Sequence, residues 1–212
     1  MEKYSGQKEP GSKTSNIKEQ APNEAALGEA NLKDLGLKDL GLQKKLKQVK
    51  LLLLDVDGVL TDGQITYTDS GEQIKSFSSK DGLGLRLLMD NHIRVGIVTG
   101  RKSNALVHRC QNLGIDLVFD GISDKAAALA IITKQTKINA QNIAFAGDDL
   151  IDLPAMIRTG VSVTVPDAPC EVKKHADMVT VASGGHGAVR EICEAILKAQ
   201  GVWEQLLNKY LS

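Results

Sequence analysis

A nearly continuous apolar run at residues 49–56 limits the folds open to this chain of 212 residues. The run is far shorter than the roughly 20 residues of a membrane-spanning helix. It also lacks the polar alternation of a strand with one face in water, so it predicts a strand buried on both faces. Similar short runs follow at residues 94–98, 117–119, 143–146, 161–165 and 178–181.

Helical patterns separate these runs, at residues 83–91, 103–113, 125–136, 149–159 and 188–199. Strands that alternate with helices predict an α/β fold, here a Rossmann-like parallel sheet with helices on both faces. Residues 64–77 break the alternation and predict a β-hairpin inserted after the first strand. The hairpin either covers its own domain or pairs with other subunits, and the sequence leaves both readings open.

The first 46 residues differ from the rest of the chain. They are polar up to Glu24, contain two prolines and offer little apolar surface to bury, so we expect a loosely ordered N-terminal extension over residues 1–46. A sequence LKDLG occurs twice in succession within residues 32–41, and it predicts a linker or, alternatively, a docking element. We then expect residues 47–212 to form one folded domain with a C-terminal tail.

Charge and cysteine content exclude several classes of protein. Lys and Arg total 26, as do Asp and Glu, which argues against a dedicated binder of nucleic acid or anionic membranes. The three cysteines form no CxxC pair and predict reduced thiols. The sequence also shows no signal peptide and no spanning segment, so we expect a soluble, cytoplasmic protein.

Polar side chains follow several of the predicted strands at the point where each strand ends. Asp55 and Asp57 follow the first strand, Thr99 the second and Asp148 the fourth, while Lys125 stands at the start of a helix. Because the carboxyl ends of parallel strands meet at one edge of a sheet, we expect these side chains to lie together. Crowded carboxylates repel one another, and the oxygen ligands suit Mg²⁺. With a hydroxyl and a lysine they predict a phosphoryl-transfer site in which Asp is a competent nucleophile.

Two other families combine carboxylates in this way, and neither fits. An EF-hand loop requires glycine at its sixth position, where this chain has Leu60, and a helix before the loop. A two-component receiver domain places its lysine after the acceptor aspartate, whereas Lys125 precedes the Asp148–Asp149 pair. The order of the residues therefore favours a different phosphotransfer fold.

The segments DVDGVLTDG, IVTGR, SDK and GDDLID resemble the four motifs of the haloacid-dehalogenase-like phosphohydrolases. The segments SSKDGLGLRLL and GGHGAVREICEAIL extend the resemblance, over about residues 47–203, to a branch that acts on sugar acid phosphates. Other branches carry a cap domain between the first and second motifs or between the third and fourth. The intervals here hold only the hairpin and single crossover helices, so no cap domain is expected.

The resemblance implies a role for each matching residue. Asp55 would be the nucleophile and Asp57 the acid/base, and Mg²⁺ would be held by Asp55, the main-chain carbonyl of Asp57, and Asp148. Asp149 and Asp152 would orient Asp148 and Lys125. The phosphate-binding positions would be Thr99, Gly100 and Lys125. Contacts to the sugar acid would come from Ser78, Ser79, Lys80, Asp81, Gly82, Arg86, Arg101 and Arg109. Arg86 and Arg109 could instead be solvated helix charges.

The resemblance also implies a substrate and an assembly. The reaction would be Mg²⁺-dependent hydrolysis of 3-deoxy-D-manno-octulosonate 8-phosphate (Kdo 8-phosphate) in lipopolysaccharide biosynthesis. Another sugar acid phosphate, such as an N-acylneuraminate 9-phosphate, and a non-catalytic regulatory role are the alternatives. The branch is tetrameric, which implies a homotetramer with hairpin 64–77 at the interface. The C-terminal tail, including the glycine-rich residues 184–187, would reach a neighbouring site, with His186 as a weak candidate for a substrate contact.

Overall fold

The computed structural model describes residues 40–211. The helices are α1 (Leu40–Lys47), α2 (Ser79–Asp90), α3 (Asn104–Leu113), α4 (Lys125–Thr136), α5 (Leu153–Met156), α6 (Cys170–Lys174), α7 (Ala188–Ala199) and α8 (Trp203–Leu211). The strands are β1 (Leu51–Leu54), β2 (Thr66–Tyr67), β3 (Gln73–Ile74), β4 (Arg94–Val98), β5 (Leu117–Phe119), β6 (Ile143–Ala146), β7 (Val161–Thr164) and β8 (Met178–Val179). Short 3-10 turns occupy Ala140–Asn142 and Leu150–Asp152.

Six parallel strands form the central sheet in the order β5-β4-β1-β6-β7-β8. Strand β1 lies between β4 and β6, and Leu54 is in register with Ile97 and Ala146. After β1 the chain adds β4 and β5 on one side and then crosses to β6 on the other. The carboxyl end of β1 is therefore the point where open α/β sheets bind their ligands. Strands β2 and β3 form a separate antiparallel hairpin. The predicted fold class is confirmed.

Both faces of the sheet are buried. Leu52 and Leu54 point to one side, where they join a core with residues of α1, α2, α3, α7 and α8. Leu51 and Leu53 point to the other side, where α4, α5 and α6 pack. Successive side chains of a strand face opposite ways, so a run of leucines supplies both cores at once. That explains why β1 shows no polar alternation.

The N-terminal boundary of the domain lies earlier than the sequence predicts. Helix α1 packs on the domain because it buries Leu42 and Leu46, and Lys45 Nζ lies 2.5 Å from Oδ1 of Asp177. Residues 40–46 thus belong to the folded domain rather than to the extension. Residues 1–39, and with them most of the LKDLG repeat, lie outside the described part of the chain.

Three local predictions also differ from the structure. The segment predicted as one helix at 149–159 forms a 3-10 turn followed by the four-residue helix α5. Helices α6 and α8 were not predicted, since they have only five and nine residues and short helices carry little helical signal of their own. None of the helices within residues 40–211 has the length and apolar character needed to cross a membrane.

Candidate active site

The turn after β1 brings two carboxylates to the edge of the sheet. Asp55 continues the strand, with its backbone N–H donating to the carbonyl of Ala146 at 2.9 Å, and only 5% of the residue is exposed. Two residues further on, Asp57 is half-buried. Gly58 follows with a φ of +88°, and a Cβ there would overlap the carboxylate of Asp148. Glycine is thus required for the turn to pass Asp148 at close range.

Lys125 reaches the same edge from the first residue of α4. The carboxylate of Asp124 caps this helix by accepting from the backbone N–H of Ala127 at 2.9 Å. The Lys125 side chain is almost wholly buried, and its Nζ lies 2.8 Å from Oδ1 of Asp55 and 2.5 Å from Oδ1 of Asp152. The lysine therefore joins β1 to the loop after β6.

Asp152 organises that loop. It is fully buried, and its Oδ2 accepts from the backbone N–H groups of Asp148 at 3.0 Å and Asp149 at 3.1 Å. Asp149 is exposed, and its carboxylate caps the 3-10 turn by accepting from the N–H of Leu150 at 2.7 Å. Asp152 thus contacts both Lys125 and the backbone of Asp148, whereas Asp149 shapes the turn.

Crowding and burial shift the pKa values of the charged groups in this cluster. Carboxylate oxygens of Asp55, Asp148 and Asp152 all lie within 4.8 Å of one another. Burial raises the pKa of Asp55 to about 6, against the lowering effect of Lys125. Burial, followed by repulsion from Asp55 and Asp152, raises the pKa of Asp148 to about 7. Burial alone would lower the pKa of Lys125, but Asp55 and Asp152 outweigh it and raise that pKa.

These residues fit a divalent cation. Both oxygens of Asp152 already accept hydrogen bonds, so Asp55 and Asp148 are the carboxylates that remain for a metal. One ammonium faces three carboxylates, which leaves two negative charges to be balanced. Hard oxygen donors of this kind suit Mg²⁺. The orientation of Asp148 by Asp152 is the kind of support that metal ligands usually have.

A cleft of about 220 Å³ opens above the cluster. Its lining includes Asp55, Asp57 and Asp148, together with Thr99, Gly100 and Arg101 from the loop after β4. Thr99 is buried, and its N–H donates to the carbonyl of Phe119 at 2.9 Å, which fixes the loop. Arg101 is more than half exposed, and its Nε lies 3.5 Å from Oδ2 of Asp57. The structure thus brings the predicted nucleophile, acid/base, metal and phosphate residues together.

Lys75, which the sequence analysis did not single out, also belongs to this cluster. It follows β3, and its side chain is 2% exposed and forms an ion pair with Oδ1 of Asp57. The available signal was the alternation of the hairpin, in which Ile74 and Ser76 are exposed and Lys75 points inward. The hairpin was predicted, but nothing local shows that it folds over Asp57.

Several residues predicted to contact the sugar acid lie elsewhere in this chain. Ser78 caps α2, and the buried Asp81 accepts from the backbone N–H of Arg190 at 2.8 Å, at the start of α7. Arg86 donates to the carbonyl of Asn112 at 2.5 Å. Within residues 40–211, the lining of the 220 Å³ cleft includes none of the following: Ser78, Ser79, Lys80, Asp81, Gly82, Arg86 and Arg109.

Arg109, like Arg86, donates to a backbone carbonyl of its own chain. Its Nη2 donates to the carbonyl of Ser78 at 2.8 Å, and its guanidinium lies over the ring of Phe77. A Cβ at Gly82 would overlap the Arg109 guanidinium, so glycine makes room for it. Arg86 and Arg109 therefore satisfy backbone carbonyls of their own chain, and of the predicted sugar-acid contacts Arg101 is the one that lines the cleft.

The glycine-rich residues 184–187 pack against their own chain. The N–H of Gly185 donates to the carbonyl of Val59 at 3.1 Å, and a Cβ at Gly184 would overlap the carbonyl of Gly58. His186 is exposed, and its Nδ1 lies 2.8 Å from the carbonyl of Gly184. This segment therefore supports the turn that carries Asp55 and Asp57, and its reach to a neighbouring site stays a prediction.

The parallel sheet and the Asp55, Asp57, Lys125 and Asp148 set define a hydrolase of the haloacid-dehalogenase-like class. A family model described as haloacid dehalogenase-like hydrolase matches residues 115–192. Over 157 residues the chain is 45% identical to the 3-deoxy-D-manno-octulosonate 8-phosphate phosphatase of Escherichia coli, covering 74% of this chain and 84% of that protein. The Haemophilus influenzae protein of the same name is 47% identical over 158 residues, covering 74% and 88%.

Solved structures agree with these relatives. The Moraxella catarrhalis 3-deoxy-D-manno-octulosonate 8-phosphate phosphatase, in complex with magnesium, phosphate and KDO, gives a TM-score of 0.78 at 40% identity over 80% of this chain and 97% of that one. The cobalt-bound Haemophilus influenzae phosphatase gives 0.76 at 44% identity over 79% and 99%. The chain belongs to the 3-deoxy-D-manno-octulosonate 8-phosphate phosphatase family, and it is a hydrolase of the phosphatase type.

Proposed function

We propose that this chain hydrolyses Kdo 8-phosphate to Kdo and inorganic phosphate, with Mg²⁺, as a step of lipopolysaccharide biosynthesis. The observation that carries the proposal is the cluster at the carboxyl end of β1, where Lys125 pairs with Asp55 beside Asp148 and Asp57 lies two residues further on. The Moraxella catarrhalis relative, 40% identical, binds magnesium, phosphate and KDO, which supports both the cofactor and the substrate.

In the first step a carboxylate oxygen of Asp55 attacks phosphorus. A bond forms between Asp55 and phosphorus while the bond from phosphorus to the sugar oxygen breaks. Asp57 gives its proton to the departing oxygen, because an alkoxide is a poor leaving group. Lys125 Nζ, at 2.8 Å from Oδ1 of Asp55, leaves Oδ2 as the oxygen for attack. The products are free Kdo and an aspartyl-phosphate on Asp55.

In the second step Asp57 takes a proton from water as that water attacks the phosphorus of the aspartyl-phosphate. The bond to Asp55 breaks and inorganic phosphate leaves, which restores Asp55 as a carboxylate and Asp57 as the protonated acid. Thr99, Gly100 and Lys125 would bind the phosphate oxygens through a hydroxyl, a backbone N–H and an ammonium. Mg²⁺ held by Asp55 and Asp148 would neutralise the negative charge of the phosphoryl group.

The substrate assignment has a direct test. Purified protein is assayed for phosphate release from Kdo 8-phosphate and from an N-acylneuraminate 9-phosphate, each with Mg²⁺ and with EDTA. We expect a higher kcat/KM on Kdo 8-phosphate, and loss of activity in EDTA. A higher kcat/KM on the nine-carbon substrate would overturn the substrate but keep the reaction. Absence of activity on every sugar phosphate would overturn the reaction and favour a regulatory role.

We also infer a homotetramer with the hairpin at its interface. Tyr67 and Ile74 on the hairpin are 60% and 51% exposed, which leaves apolar surface on the hairpin for a neighbouring subunit to cover. Light scattering on wild type and on a Tyr67→Lys, Ile74→Lys variant tests the assembly. The proposal expects a tetramer that the two charges dissociate, and a monomeric wild-type chain would overturn it.

A further inference from the structure

Lys75 is a buried charge that the mechanism above does not use. It comes directly after β3, where side chains alternate, so Ile74 and Ser76 are exposed while Lys75 points toward the domain. Only 2% of its side chain is exposed. A lysine is rarely buried to this extent without a partner, because an unpaired ammonium in the interior is strongly destabilising.

The ion-pair partner of Lys75 within residues 40–211 is Asp57. Lys75 holds Oδ1 of that carboxylate, while Arg101 Nε lies 3.5 Å from Oδ2. The two cations differ in kind, because Arg101 is 55% exposed at the cleft and Lys75 lies behind Asp57, outside the cleft lining. Lys75 thus fixes the carboxylate from the protein side and leaves its open side to the substrate.

We propose that Lys75 is a positioning residue for Asp57, through which the hairpin aims the acid/base carboxylate at the departing oxygen of the substrate. This inference rests on the proposed function, since it assigns Asp57 to proton transfer. The physical reason is that proton transfer needs the donor within hydrogen-bond reach of the leaving oxygen. An Asp57 side chain that is free to rotate about χ1 and χ2 loses much of that advantage, whereas one whose Oδ1 accepts a hydrogen bond from Lys75 keeps it, with the proton on Oδ2.

A comparison of kcat/KM on two substrates distinguishes a positioning role of Lys75 from a merely structural one. Kdo 8-phosphate has a sugar alkoxide leaving group, which needs a proton from Asp57 as its bond to phosphorus breaks. The leaving group of p-nitrophenyl phosphate departs as a stable phenolate and needs no proton. Because kcat/KM covers only the steps up to leaving-group departure, misplacing Asp57 lowers it for the first substrate much more than for the second.

The variants are Lys75→Met, which removes the charge, Lys75→Arg, which keeps it, and Lys134→Met as a matched control at an exposed lysine of α4. At saturating Mg²⁺, Lys75→Met should lose about 10²-fold or more in kcat/KM on Kdo 8-phosphate and less than about 5-fold on p-nitrophenyl phosphate. Lys75→Arg should restore most of the selectivity, and Lys134→Met should match wild type. In an Asp57→Asn background, Lys75→Met should add little further loss, because the two residues act as a unit.

The ratio of the kcat/KM values on the two substrates does not depend on the fraction of folded protein. A partly unfolded variant therefore still tests the positioning role. Equal losses on both substrates, or no loss on either, would overturn the positioning role while leaving the proposed function intact. A wild-type chain inactive on both substrates would overturn the proposed function and this inference with it.

Discussion

Nζ of Lys125 lies 2.8 Å from Oδ1 of Asp55, and the two side chains are 1% and 8% exposed. The same ammonium contacts Asp152, which in turn holds the backbone of Asp148. One buried cation therefore connects Asp55, the proposed nucleophile, with the loop that carries Asp148, a proposed metal ligand. Without a divalent cation the negative charges of the site are not fully balanced. The activity and the stability of the protein should both depend on this balance.

Asp55→Asn should abolish turnover and leave the fold intact. The amide is nearly the same size but is too weak a nucleophile, so we expect a loss of at least about 10³-fold in kcat, within the range for loss of a catalytic nucleophile. Circular dichroism and the melting temperature check the fold, and phosphate release checks the activity. An Asp55→Asn enzyme with near wild-type kcat would contradict the mechanism.

Lys125→Met should lower both activity and stability. Removing one partner of a buried ion pair leaves carboxylates uncompensated, which costs about 3–5 kcal/mol of unfolding free energy. Urea unfolding in EDTA measures this change. Lys134→Met, on the same helix but at an exposed position, should stay within about 0.5 kcal/mol of wild type. Equal effects of the two substitutions would show that the buried pair contributes nothing specific.

The stability of the metal-free protein should fall as the pH rises from 5 to 8. Burial raises the pKa of Asp55 to about 6 and that of Asp148 to about 7, both above the ordinary 3.8. A carboxyl with a raised pKa in the folded state stabilises the fold when protonated, and that contribution is lost as the pH rises through the folded value. The melting temperature in EDTA should therefore drop, by about 2–4 °C for each 1 kcal/mol of stability lost at this size.

Saturating Mg²⁺ should remove that drop, because the cation binds the ionised carboxylates of the folded state only. Asp148→Asn in EDTA is the control, and it should show a smaller fall over the same pH range. A melting temperature in EDTA that rises with pH more steeply in wild type than in Asp148→Asn would contradict the assignment of these pKa values.

Helix α1 should contribute measurably to stability through Leu46. That side chain is fully buried, so Leu46→Ala should cost about 2–5 kcal/mol of unfolding free energy. Leu40→Ala on the same helix should change it by less than about 0.5 kcal/mol, because Leu40 is 72% exposed. Urea denaturation of both variants checks the comparison, and an insensitive Leu46 would mean that α1 does not dock on the domain in solution.

Most of the fold could be predicted because its signals are local. The apolar run of β1 is typical of a strand buried on two faces, and the start of α4 at Lys125 follows an aspartate, a residue favoured as a helix N-cap. Helix α1 was missed, since eight residues with no acidic first turn carry little helical signal of their own. The helix packs against α7, and a tertiary contact of this kind leaves no periodic pattern in a short segment.

Some residues of the candidate site could likewise be predicted from the sequence, and others could not. Residues at strand ends, such as Asp55 and Thr99, could be predicted because parallel topology brings strand ends together. Arg86 could not be placed, because a long side chain on a helix surface can reach a ligand or a backbone carbonyl, and here it reaches Asn112. The role of Lys75 was hidden because it depends on how the hairpin folds back over the turn after β1.

The four identical leucines of β1 have a consequence for how the sheet reaches its alignment. A slip of one residue would exchange leucine for leucine on both faces, so the buried area would hardly change. The alignment must then be specified by the polar residues at the two ends of the run, Lys50 and Asp55, since a slip would pull an ammonium or a carboxylate into an apolar layer. Asp55, the proposed nucleophile, would thereby also select one strand pairing over its neighbours.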